Sequence, residues 1–435
     1  MKRRVMRIRH FGLVCALAWW APACHPVPVV QSALHGDLGE LKRSIARARE
    51  RGSLDDATVN ELALAVAGRE VRSARGHGAV PTVRGVRACA RPLEPVLSER
   101  ASRLDEPGAE ATLILLEMGL SKPDEVFERY READSGAWRA VAARAAVSPR
   151  KAATRRELMR DPDERVRRAA LAASFDAGDR ADTDDLLEAA RLDPDPLSRS
   201  LATRAVGAVG SEAAVLSLRD LFARASEEER MAIVDAWAMP AAFRSGGERE
   251  LFRVVETADG LSAVVAAAAL LRVDGERATL AAQHLAKHIR SGSVEEQRLA
   301  IRLAVLRRPE LREAVVVAGK SEDPEVRVMA FSRLLPDAAA GTHARNELRK
   351  IAMKSGDQAM QARAALAVAG DGSIVPKLLE DLRARNPGRR VVAARALVEL
   401  ERLADAATAL ADDRPDIRAE IACKIVAQNS TARRR

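Results

Sequence analysis

Apolar residues recur along most of this chain at the spacing of a helix that buries one face. Val166, Ala169, Ala170 and Ala173 fall at i, i+3, i+4 and i+7, with Arg165, Arg167 and Arg168 between them. Over 213–224, Val215, Leu218, Leu221 and Phe222 repeat the same 3.6-residue period. Short turns such as Gly370-Asp371-Gly372-Ser373 and Arg385-Asn386-Pro387-Gly388 separate these segments. The segments come in pairs. The second of each pair opens on an N-cap Asp or Ser, often with Pro at the first helical position. Many inward positions are Ala, which lets helix axes approach closely, and no convincing run of strands interrupts the pattern.

The pairs repeat. Asp161-Pro162-Asp163-Glu164-Arg165-Val166-Arg167 returns as Asp193-Pro194-Asp195-Pro196-Leu197-Ser198-Arg199, as Ser321-Glu322-Asp323-Pro324-Glu325-Val326-Arg327, and as Asp412-Asp413-Arg414-Pro415-Asp416-Ile417-Arg418. Weaker copies surround Arg139, Arg230, Arg298, Gln361 and Arg390, and a copy near Val264 has lost the arginine. From position 139 to position 418 the motif recurs at a mean interval of about 31 residues, within the range of solenoids and arrays. The expected fold is all-α: an α-solenoid of stacked helix pairs, elongated and monomeric.

The pattern resembles HEAT repeats, in particular the shorter HEAT-like units of the phycobilin-lyase type, whose second helix carries Asp-Pro, then Val-Arg, then Ala at helical spacing. The resemblance spans residues 107–428. It implies a ladder between successive units built from Asp161, Arg167, Asp193, Arg199, Arg327, Asp412 and Arg418, with the Asp–Arg pairs six residues apart. Arginine suits that task because its planar fork satisfies several acceptors at once. Residues 32–106 are helical in poorer register, with Ser32–Leu41 faintly similar to an ankyrin-type helix pair, and are expected to cap the solenoid at its N-terminal end.

Composition sharpens this picture. The chain has 435 residues, of which 47% are hydrophobic and only 3% aromatic, which argues against an aromatic-rich β-sandwich or a disordered tail. The net charge of +9 sits at the ends. Lys2, Arg3, Arg4, Arg7 and Arg9 account for five positive charges and Arg433–Arg435 for three, leaving a body of about +1. A near-neutral body lacks the long-range field that draws phosphate backbones, so no nucleic-acid partner is expected.

The N-terminus reads as an export signal: basic 1–10, apolar 11–20, and small residues before Cys24. Its apolar run is too short for a permanent membrane span. Ala21-Pro22-Ala23-Cys24 also resembles a bacterial lipobox, which implies cleavage after residue 23 and lipidation of Cys24; Ala21 stands where that pattern usually has Leu. The expected order is signal peptide 1–23, tether 24–31, cap 32–106, repeats 107–428 and basic tail 429–435. The address is then the cell envelope, outer-membrane or periplasm-facing. Of the four cysteines, Cys15 lies in this leader and Cys24 just after its cleavage site, and Cys89 and Cys423 lie near opposite ends of the body, so no disulfide framework is expected.

Candidate chemistry is sparse. Ala314–Ser321 satisfies a permissive phosphate-loop pattern, but it lies in a helical stretch and Ser321 reads as the cap of the next helix. His284 and His288 share a helix face, yet Leu285 stands where a zinc protease needs Glu. No catalytic, cofactor-binding or metal-binding residue is assigned, and no cofactor is expected. The leading functional expectation is a non-catalytic, envelope-associated scaffold presenting a concave face to a protein partner. The alternatives are a HEAT-like nucleic-acid binder or DNA glycosylase, and a phycobilin-lyase-like enzyme.

Overall fold

A computed structural model describes residues 28–35, 37–273 and 275–432. These residues are helical or in turns, and no strand occurs among them. The leader, Cys24 and the Arg433–Arg435 tail lie outside the described residues, and so does the export reading that rests on them. Among the described residues no helix is long and apolar enough to cross a membrane.

Helix boundaries follow the local chemistry. Asp163, Asp195 and Asp323 cap the helices Glu164–Ala177, Pro196–Val209 and Pro324–Leu334, each side chain accepting an N–H of the first turn. Ser226 and Ser293 form reciprocal capping boxes with Glu229 and Glu296. The first two of those Asp-capped helices end on Gly178 and Gly210 in the left-handed conformation. Ser321 is not the cap expected of it. Asp323 takes that position, and Ser321 Oγ accepts the Asp323 N–H at 3.3 Å.

The second helix of each pair packs beside the second helix of the next. Gly136–Ala145 leads through Glu164–Ala177, Pro196–Val209, Glu227–Trp237, Leu261–Leu270, Val294–Leu303, Pro324–Leu334, Asp357–Val368 and Pro387–Glu399 to Pro415–Ala432. First helices such as Thr183–Leu192 lie behind their own partners and touch one another sparsely, Glu276–Ser291 against Pro309–Ala318 being the main exception. In a curved array the more closely spaced layer is the concave one, so the second helices form the inner layer. Small residues permit the spacing: a Cβ on Gly207 would sit 2.5 Å from the Ala236 carbonyl oxygen of the next inner helix.

The array does not end freely. Pro415–Ala432 packs along Asp56–Ser73 and against Val80–Arg84 and the turn Arg87–Cys89. Val80–Arg84 then packs on Glu106–Glu117, which leads back to Gly136–Ala145. The solenoid therefore closes on itself as a ring. Cys89 and Cys423, both buried, form a disulfide across this seam with Cα atoms 5.2 Å apart and 334 residues of sequence between them. Lys42 Nζ meets Asp413 Oδ1 at 2.6 Å, Arg49 pairs with Asp405, and Asn429 Nδ2 donates to Asn60 Oδ1 at 3.3 Å.

Two sequence-based expectations are overturned here. The array is not elongated, and Cys89 and Cys423 are partners. Nothing local signals either outcome, because the motif defines a unit while closure depends on a small rotation summed over all units. The segment 32–106, expected as an N-terminal cap on the solenoid, packs on the C-terminal helix. About a dozen inner helices at about 9 Å spacing give a circumference of roughly 110 Å, hence an opening on the order of 25 Å after subtracting one helix diameter. One apolar core runs around the ring from Val29 to Val426, and a smaller cluster packs Phe127, Tyr130 and Trp138.

Candidate interaction surface and the arginine ladder

The ladder arginines lie one turn into the inner helices, and all but Arg327 divide their donors between two units. Arg167 Nη1 donates to the main-chain carbonyls of Asp161 at 3.0 Å and Pro162 at 3.2 Å. Its Nε and Nη2 donate to the two carboxylate oxygens of Asp193, in the next unit, at 2.8 and 3.1 Å. Asp193 Oδ1 also accepts the Asp195 N–H at 2.9 Å, so one carboxylate orders its own turn and anchors the preceding unit. A rigid fork is needed for that double duty; the point charge of a lysine would satisfy only one side.

The same rung recurs. Arg139 grips Asp161 at 3.0 and 3.2 Å, and Arg390 grips Asp412 at 2.6 and 3.0 Å. Arg199 keeps its bond to the Asp193 carbonyl at 2.9 Å but reaches Glu229 instead of an aspartate, also at 2.9 Å. Arg327 holds the carbonyls of Ser321 and Glu322 at 2.6 and 2.7 Å, and the next turn, 353–356, offers no carboxylate. The six-residue pairs Asp161–Arg167, Asp193–Arg199 and Asp412–Arg418 are thus joined through the aspartate main chain. Their carboxylates belong to the preceding unit's arginine.

The last rung closes the ring. Arg418 Nη1 donates to the carbonyls of Asp412 and Asp413 at 2.6 and 3.1 Å. Its Nε and Nη2 reach the Glu70 oxygens at 3.0 and 2.9 Å, 348 residues earlier in the chain. Glu70 carries no motif around it, so its role was invisible in the sequence.

Two further buried networks escaped the repeat pattern because they stand off the main motif. Arg155, fully buried on the first helix Ala152–Leu158, donates Nε to Asp182 Oδ2 at 2.6 Å and Nη1 to the Ala146 carbonyl at 2.7 Å. Ser174 Oγ donates to the same Asp182 oxygen at 2.6 Å. Arg363 and Arg389 both pair with Asp381, and Arg363 also donates to the carbonyls of Ala352 and Lys354 at 2.7 and 2.6 Å.

Salt bridges also bias titration along the inner layer. Arg168, at 2.7 and 2.9 Å, holds the Asp195 carboxyl well below its ordinary range against the opposing effect of burial, with Ser198 donating as well. Side chains exposed in the middle or last turn of inner helices face the opening, since their other sides are covered by neighbours. Arg204, Asp235, Arg302 and Val368 are of this kind.

The remaining candidates fall apart geometrically. Residues Pro309–Ala318 form a continuous helix, and a Cβ on Gly319 would meet Phe331 at 2.9 Å, so no phosphate-cradling loop exists there. His284 Nε2 and His288 Nε2 lie 2.9 Å apart, and His288 Nδ1 is 3.4 Å from Glu296. Burial, followed by the neighbouring His288, lowers the pKa of His284. No group of three or more His, Cys, Asp or Glu suited to a metal ion occurs among the described residues.

No family model matches the chain, and no curated protein does. Among solved structures, the crystal structure of an engineered protein matches over 93% of this chain and 99% of its own, at 17% identity and a TM-score of 0.25. A likeness of that strength identifies neither a family nor a function.

Proposed function

We propose that the chain is a non-catalytic protein-binding scaffold, anchored at the cell envelope through a lipid on Cys24, whose inner helix layer receives the partner. The observation that carries this reading is the closed ring, in which Arg139, Arg167, Arg199, Arg390 and Arg418 are each spent on a neighbouring unit. The surface left for recognition is therefore the inner-layer set that includes Arg204, Asp235, Arg302 and Val368, repeated around a wide opening. Repeated shallow contacts suit an extended protein surface better than a small substrate. The near-neutral body favours a protein over a nucleic acid.

A photo-reactive residue at Arg302, compared with one at exposed Arg191 on an outer helix, tests the surface in envelope preparations of the source organism. The reading expects a discrete protein adduct from position 302 and none from 191. Adducts from 191 alone, or from neither, refute it. Metabolic palmitate labelling tests the anchor separately: wild type should incorporate label and Cys24→Ser should not.

A further inference from the structure

In the unit before the seam the first helix is Leu403–Ala406, continued by the tighter helical turn Ala407–Ala411. Between the helix Leu38–Glu50 and the helix Val375–Asp381 lies a groove of about 990 Å³. Because one wall comes from the N-terminal end and the other from the C-terminal end, the groove exists only in the closed ring.

Its lining is amphipathic. Ile45 and Ala46 face Leu379 and Leu382, and Arg383 and Arg385 stand on the rim. The other lining cations are already paired: Lys42 with Asp413 at 2.6 Å, Arg49 with Asp405, and Arg390 with Asp412 at 2.6 Å. Arg383 and Arg385 are exposed, and neither guanidinium has a partner among the described residues. Glu50 is the one lining carboxylate left unpaired. Two free guanidiniums over an apolar floor call for an occupant that supplies carboxylates and aliphatic side chains together.

We propose that this groove docks a short, acidic amphipathic helix of a partner protein. The apolar face of that helix covers Ala46, Leu379 and Leu382, and its carboxylates meet Arg383 and Arg385. The size fits. A cylinder about 10 Å across that fills 990 Å³ is about 13 Å long, or roughly two helical turns. The proposal rests on the scaffold reading and adds a second contact on the opposite layer of the ring.

The test uses the full chain and a fluorescein-labelled helical peptide of about 14 residues, with Leu at i, i+3, i+4 and i+7 and Glu on the flanks, read by anisotropy. A matched peptide with Lys for Glu is the control. The acidic peptide should bind wild type, and Arg383→Glu with Arg385→Glu should weaken it at least about tenfold while leaving the helical circular dichroism unchanged. The basic peptide should not bind wild type. Equal binding of the acidic peptide to both proteins, no binding up to about 1 mM, or full competition by a single-stranded oligonucleotide would each overturn the proposal. Such a failure leaves the Arg302 adduct intact, whereas loss of that adduct with retained peptide binding would remove the inner-layer reading instead.

Discussion

Removing the seam disulfide is the most direct test of ring closure. The perturbation is Cys89→Ala with Cys423→Ala, or reduction of the wild type. Joining residues 334 apart removes about 19 cal/mol/K of chain entropy from the unfolded ensemble in the loop-closure model, or about 6 kcal/mol at 25 °C. That is a ceiling, since measured losses cluster at about 2–4 kcal/mol. The seam also holds noncovalently. Val59, Leu62 and Val66 on one side and Ile421 and Ile425 on the other are buried, each contributing about 1.5–3 kcal/mol before chain entropy is subtracted. The Arg418–Glu70 fork, with both side chains nearly buried, adds to this. The ring is therefore expected to stay closed without the disulfide while its seam opens more often. A chain of many units need not unfold in one step, so hydrogen exchange of amides in Pro415–Ala432 is a better readout than a global midpoint. Protection there should fall by at least about 30-fold, equivalent to about 2 kcal/mol. Small-angle scattering should still give a radius of gyration on the order of 25–30 Å, against about 35 Å for a dozen units in an open row at 10 Å spacing. Unchanged seam protection, free thiols at both cysteines in the oxidised wild type, or an open-row radius for the wild type would refute the reasoning.

Other measurements probe separate links. Arg155→Ala should destabilise the chain by about 3–5 kcal/mol in denaturant titration, because it strands the fully buried Asp182 carboxylate; the isosteric-length Arg155→Met should do no better. Gly207→Ala should cost about 1–3 kcal/mol in denaturant titration through its clash with the Ala236 carbonyl, whereas the same change at Gly372, where a new Cβ meets no atom, should not disturb helix packing. Asp195 has a folded pKa below its ordinary 3.8, so its contribution is present above about pH 4 and is lost as pH falls through the folded value. Melting curves between neutral pH and pH 2 should therefore show a shallower acid limb in Asp195→Asn than in wild type. Fluorescence titration with double-stranded DNA at physiological salt should show no sub-micromolar binding, and a steep salt slope retained after deletion of Arg433–Arg435 would contradict the near-neutral body.

Much of the architecture was legible in the chain. Helix pairs, their caps and their period follow from contacts within about ten residues, such as Asp195 capping its own helix and the 3.6-residue stripe through Val166 and Ala170. The ladder arginines stood out for the same reason, since each bonds carbonyls five and six residues back. Their carboxylate partners, 22 to 30 residues onward, required the stacking of one unit on the next. Closure required all of it. Whether a solenoid runs on or meets its own start depends on the rotation from unit to unit, about 30° for a ring of a dozen units, set by side-chain volumes at every interface, and no single motif encodes that sum. Hence the Cys89–Cys423 bridge, the Arg418–Glu70 rung and the seam groove with its unpaired Arg383 and Arg385 belong to the tertiary structure alone, each joining residues whose separation along the chain exceeds any local signal.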